Sequence, residues 1–239
     1  MLGVLRTYQS RPLVPGRDVL FSETSWPRFL ARLGKYAHAA DLTIWPLDGR
    51  GYPVHRGYAH ISIRRDSHLP EWYRFTFAAN ADDTSWPDAP GLQDHWAALV
   101  KRHAAAMSAY AGGMNDDIGW NQATALQRTA MRSSLVTDQS SDFRSVLRGY
   151  SWITIVGSEP ATRLGGTQSL VASGAFCEVA ELPNGAIWLR ATPTINEFTG
   201  EKIRAVFETL APELPTGMPK IWPTEEYRIV EGVDAANYQ

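Results

Sequence analysis

Three observations predict an α+β fold for this chain: a single domain with a mostly antiparallel central sheet and flanking helices. Period-two runs are joined by short turn sequences, helical stripes are few and well separated, and no long linker divides the 239 residues. The clearest strand pair comes first. Tyr58, His60 and Ser62 alternate with Ala59, Ile61 and Ile63, and Trp72, Arg74 and Thr76 alternate with Tyr73, Phe75 and Phe77. Asp66-Ser67-His68-Leu69-Pro70 between them is a hairpin-length connection, so the pair is antiparallel.

The remaining elements follow in chain order. Ser22-Glu23-Thr24-Ser25 supplies hydroxyl caps ahead of Pro27, and Phe29, Leu30, Leu33, Tyr36 and Ala37 recur at helical spacing, which predicts a helix over 25–40. Strands are expected at 42–46, 57–64 and 72–79, and a long helix over 93–110 with Trp96, Leu99, Val100, His103 and Met107 on one stripe. Gly112-Gly113 breaks that helix. A brief strand at 118–120 and helices near 124–132 and 140–147 follow, then a buried strand over 150–156 closed by Gly157. Two short helices are expected at 160–164 and 167–172. Strands at 176–182 and 186–190 flank Pro183-Asn184-Gly185, a strong hairpin signal. Ile203, Val206, Phe207 and Leu210 define a compact helix over 201–210, and Tyr227–Val230 a last strand.

Composition excludes several classes. With 44% hydrophobic and 20% charged residues, the chain can bury a core and is not disordered throughout. A net charge of −2 removes any global case for a nucleic-acid binder. The charge is uneven, however: +6 over residues 1–65, −5 over 66–125 and −3 over 126–239. The single cysteine, Cys177, excludes an internal disulfide and is read as strand packing. No apolar run reaches the ~18–20 residues of a membrane span. The N-terminus meets Arg6 too early for a signal peptide's apolar stretch, so a cytoplasmic location is expected.

Catalytic templates are not found. The sequence has no phosphate-binding G-x-x-x-x-G-K-[ST], no G-x-G-x-x-G, no G-x-S-x-G and no H-E-x-x-H. His95 and His103 stand eight residues apart, about two helical turns, too far to share one ion. His55, His60 and His68 are separated by loop and strand positions. The sequence therefore assigns no catalytic residue, no cofactor and no metal. The alternative is a small metal-dependent or hydrolytic enzyme using His and Asp residues of the 80–120 region.

Acidic residues beside tryptophan are the candidate partner-binding positions. Asp82, Asp83, Trp86 and Asp88 occupy one loop, Asp116, Asp117 and Trp120 a second, and Trp222, Glu225 and Glu226 a third. Adjacent carboxylates in loops also serve as turn and cap groups, but acid around an aromatic anchor is how an interface combines steering charge with a buried contact. Of the nine tryptophans, Trp45, Trp72, Trp96, Trp152 and Trp188 fall inside periodic elements and are expected in the core.

From Tyr150-Ser151-Trp152-Ile153-Thr154 the chain continues through Thr162-Arg163-Leu164-Gly165-Gly166, Leu170 to Phe176, Leu182-Pro183-Asn184-Gly185 and Ile187-Trp188-Leu189-Arg190. This series resembles the C-terminal half of bacterial immunity proteins that neutralise type VI secretion toxins, most closely the immunity protein 52 family. The resemblance covers about residues 150–210, and none of its motifs is catalytic. It implies stoichiometric inhibition of a cognate secreted toxin, a restriction-endonuclease-like DNase, with no direct contact to nucleic acid or membrane. The DNA-facing surface of such a toxin is basic, and acidic loops are suited to cover it.

Overall fold

The computed structural model describes residues 2–8, 19–36, 39–52, 54, 59–65, 73–79, 90–109, 111–114, 145, 147, 149–214 and 235–238. The chain divides into two compact units, Met1–Asp88 and Ala89–Gln239.

The first unit is built on a five-stranded antiparallel sheet in the order β2-β1-β3-β4-β5, with β1 Leu2–Tyr8, β2 Val19–Leu20, β3 Ala39–Trp45, β4 Ala59–Arg65 and β5 Tyr73–Ala79. β4 and β5 pair in the expected sense, from Ala59 opposite Ala79 to Arg65 opposite Tyr73. Helix α1, Ser25–Tyr36, begins where the hydroxyls placed it: Ser22 Oγ accepts from the Ser25 N–H at 3.0 Å. It ends four residues before the expected position 40, because Ala39, Ala40 and Asp41 are taken into β3 by Tyr8, Thr7 and Arg6 of β1. Neither β1 nor β2 was foreseen, although Pro15-Gly16 between them is a turn signal. Gly3 is needed in β1, because a Cβ there would stand 2.8 Å from the Phe21 Cβ.

Alternation gives this sheet two chemically different faces. Phe29 and Ala40 are buried with Val19, Trp26, Leu42 and Ile63 packed around them, so α1 covers the apolar face. On the opposite face, one rung runs Arg6, Asp41, Ser62, Thr76 and the next runs Val4, Thr43, His60, Ala78.

The second unit holds a four-stranded antiparallel sheet in the order β6-β7-β9-β8: β6 Gly112–Met114, β7 Ile153–Val156, β8 Glu178–Glu181 and β9 Ile187–Arg190. Its helices are α2 Pro90–Ala106, α3 Ser158–Arg163, α4 Gly166–Ala172 and α5 Gly200–Leu210. The β8–β9 hairpin closes as its turn sequence requires, with the Leu182 N–H donating to the Ala186 carbonyl at 2.7 Å and Gly185 at φ +79°. Trp152, Trp188, Ile153, Leu189, Val206, Phe207 and Leu210 are fully buried, and they anchor one continuous core.

The fold class is α+β with antiparallel pairing, as the sequence predicts, but the strands are shared between two sheets rather than gathered in one. Two details also differ. Gly112-Gly113, read as a helix breaker, enters β6. A Cβ at Gly112 would lie 3.0 Å from Ile155 Cδ1 and one at Gly113 2.8 Å from Ser151 Oγ, so small residues admit this strand. On α2 the buried stripe is Gln93, Ala97 and Ala104; Trp96, Leu99 and His103 are half-buried and Met107 is exposed. Ala97 and Ala104 are the members of α2 that enter the buried core. The expected elements at 118–120, 124–132 and 227–230, and most of 140–147, lie outside the described residues.

Candidate functional site

Polar side chains tie α2 to the sheet of the second unit along its length. Gln93, fully buried, accepts the Ile195 backbone N–H at 2.9 Å through Oε1. Asp94 accepts from Arg190 at 2.6 Å, and Lys101 donates to Glu178 at 2.6 Å. Both cations also lie over core indoles: Arg190 5.1 Å from the Trp152 ring centroid and Lys101 5.8 Å from that of Trp188. Trp152 Nε1 donates to the Thr192 carbonyl at 2.9 Å. Burial alone would raise the Glu178 pKa, but the Lys101 hydrogen bond, the nearby Trp188 indole and Arg190 outweigh it and hold the carboxyl below its usual range. The buried Trp188 N–H falls outside strict hydrogen-bond geometry, yet it is near enough to favour the anion.

An open cleft of about 350 Å³ lies beyond this seam, lined by Phe176, Ala191 and Pro193 and by the polar Cys177, Thr192, Glu197 and Lys202. Cys177 precedes β8 by one residue and is exposed, where the sequence placed it in strand packing. Its N–H still pairs with the Arg190 carbonyl, so the backbone is in the ladder while the thiol faces the cleft. Partial burial is the main cause that pushes the thiol pKa up, with Glu178 and Glu197 adding to it against the pull of Arg190. The thiolate that would act as a nucleophile is therefore disfavoured. Glu197 accepts the Thr194 N–H at 3.3 Å, capping the short 3-10 turn Ile195–Glu197.

On the polar face of the first unit's sheet, Thr43 Oγ1 lies 3.1 Å from His60 Nδ1, and His60 Nε2 lies 3.8 Å from Asp41 Oδ1. Asp41 and Ser62, opposite each other on the neighbouring rung, are both buried. In the sequence His60 stands apart from His55 and His68 across loop and strand positions, and nothing singles out Asp41. The available signal was the alternation itself: Asp41 and Thr43 share a parity, as do His60 and Ser62, but only the β3–β4 register brings the two pairs together.

All ten residues named as partner contacts, Asp82, Asp83, Trp86, Asp88, Asp116, Asp117, Trp120, Trp222, Glu225 and Glu226, lie outside the described residues. Of the expected core tryptophans, Trp152 and Trp188 are buried, Trp45 and Trp96 are half-buried, and Trp72 is outside the described residues. In the 80–120 region of the enzymatic alternative, Asp94 is held by Arg190, and His95 Nδ1 lies 2.6 Å from the Gly91 carbonyl, the preceding turn of its own helix. Among the described residues no three of His, Cys, Asp and Glu converge as a metal-binding group, and no helix is long and apolar enough to cross a membrane. No family model, no curated protein and no solved structure matches the chain.

Proposed function

We propose that the protein is an immunity protein of the immunity protein 52 type, acting in the cytoplasm to neutralise a cognate type VI secretion nuclease by stoichiometric binding. One observation carries this reading: the residues that give the resemblance form a single structural unit. Trp152, Ile153, Leu170, Leu182, Trp188 and Leu189 are buried in one core, and Pro183-Asn184-Gly185 turns the hairpin that completes it. A likeness carried by mutually packed residues is a likeness of scaffold, and a scaffold leaves its surface free to specialise for a partner. The charge supports the same reading. The unit Ala89–Gln239 carries twelve basic and sixteen acidic residues, a net of −4, a sign suited to covering the basic DNA-binding surface of a nuclease.

The test is co-expression with a candidate type VI secretion nuclease, beginning with the product of any adjoining gene, followed by titration of its DNase activity with purified protein. Protection of cells and loss of activity at one equivalent are expected. Reversal to Lys of Asp82, Asp83 and Asp88, of Asp116 and Asp117, or of Glu225 and Glu226 should slow association and increase its salt dependence for at least one loop. Full DNase activity at a tenfold excess of protein refutes the function; three silent reversals refute the acidic-loop interface.

A further inference from the structure

Helix α2 turns its larger apolar side chains away from its own core. Gln93, Asp94, Ala97, Lys101 and Ala104 attach it to the second unit, by burial or by bonds to Ile195, Arg190 and Glu178. Leu92, Trp96, Leu99, His103 and Met107 form a second row, centred about 130° round the helix from the first at 3.6 residues per turn. Met107 continues the last turn, its N–H donating to the His103 carbonyl at 2.9 Å. Leu92 is 42% and Met107 45% exposed, Leu99 is half-buried, and none of the three belongs to either buried core. Trp96 and His103 are half-buried and have contacts of their own. Large apolar residues aligned on the outer side of a helix mark a surface built for contact.

We propose that the outer row of α2 is the apolar centre of the toxin interface, with the acidic loops before and after the helix as its rim. The proposal rests on the immunity reading and gives that interface a place. Charge assigns the occupant. Asp88 stands two residues before Pro90, and Asp116 and Asp117 follow within three residues of Met114, so acid borders the helix segment on both sides in the sequence. A nuclease's basic DNA-binding surface complements such a rim. His95 and Arg102, exposed along one side of the row, leave the acid to the loops. Size agrees as well. From Pro90 to Met107 the helix runs about 26 Å at 1.5 Å per residue, close to the width of about 28 Å of a standard 800 Å² half-interface. Leucine and methionine between acidic ends reproduce the apolar centre and polar rim of a recognition surface.

The experiment measures binding of the full chain to an active-site-inactivated form of the nuclease that it inhibits on co-expression. Leu92→Ala combined with Met107→Ala should raise Kd at least about tenfold, chiefly through faster dissociation and with an unchanged salt dependence. Reversal of the loop acids acts instead on association and its salt dependence. Val171→Ala, a truncation at another exposed apolar position of the same unit, should leave Kd unchanged. Hydroxyl-radical footprinting of the unsubstituted complex gives a second readout that relies on no variant: oxidation of Met107 should slow several-fold when the nuclease is bound. An unchanged Kd in the double variant, or equal oxidation of Met107 in free and bound protein, overturns the α2 interface while the immunity reading stands. If no nuclease is inhibited by the unsubstituted protein, the immunity reading falls and this interface falls with it.

Discussion

Gln93 shows how one residue can satisfy a fold without appearing in any motif. It is a polar residue on a helix, fully buried, and its amide oxygen receives the N–H that opens the turn at Ile195. Gln93→Leu keeps the volume and removes the acceptor, leaving a backbone donor unpaired in the interior. A loss of about 1–3 kcal/mol is expected, measurable as a lower urea midpoint with an unchanged slope. A shift below a few tenths of a kcal/mol would show that the N–H finds another partner. Gln93 and Asp41 were illegible in the sequence for the same reason. Each lies in an element whose existence was predicted, but the chemistry of each depends on a residue 102 positions away in one case and on a strand register in the other.

Helix α2 is fixed to its sheet partly by charge, and that gives it a dependence on pH. The folded unit holds Glu178 below the ordinary glutamate pKa, chiefly through Lys101 once burial is overcome. It therefore binds fewer protons there than the unfolded chain does, so this contribution is complete above the ordinary range near 4.3 and fades as pH falls through and below it. Glu178 is 38% exposed, and solvent screening limits the effect to no more than about 1 kcal/mol. Urea unfolding from pH 6 to pH 3 should show an acid-side loss that is shallower in Lys101→Met; parallel curves would remove the ion pair from the account. Elements with strong local signals were legible: the Ser22 cap, the Asn184-Gly185 turn and the Ile203–Leu210 stripe all stand where the sequence put them. The misses are positions where pairing prevailed over local preference, as when β1 draws Ala39 into a strand and β7 accepts Gly112-Gly113 as a partner.

For the whole molecule, the contrast of charge is milder by unit than by sequence segment, but its sign is kept. Met1–Asp88 carries eleven basic and nine acidic residues, a net of +2, against −4 for the rest. A net of −2 thus combines two units of opposite net charge, and the acidic one is the unit that holds the Trp152–Trp188 core. The sequence showed the unevenness but not its boundary, because the boundary follows which strands pair. Hydrophobic periodicity identified strands in both halves without indicating that Tyr73–Ala79 and Ile153–Val156 belong to different sheets.

The boundary at Asp88–Ala89 has a genetic meaning as well. Each side of it owns a complete sheet, and the second side owns a core of Trp152, Trp188, Phe207 and their neighbours sufficient to bury its helices. A gene cut at that codon should yield a downstream product, Ala89–Gln239, that unfolds cooperatively in urea and gives dispersed amide NMR signals. A collapsed product without cooperative unfolding would mean that the two halves are not separately inheritable. If the product folds, recombination can exchange the upstream unit while leaving the downstream scaffold intact, and variation in one half need not be matched by variation in the other.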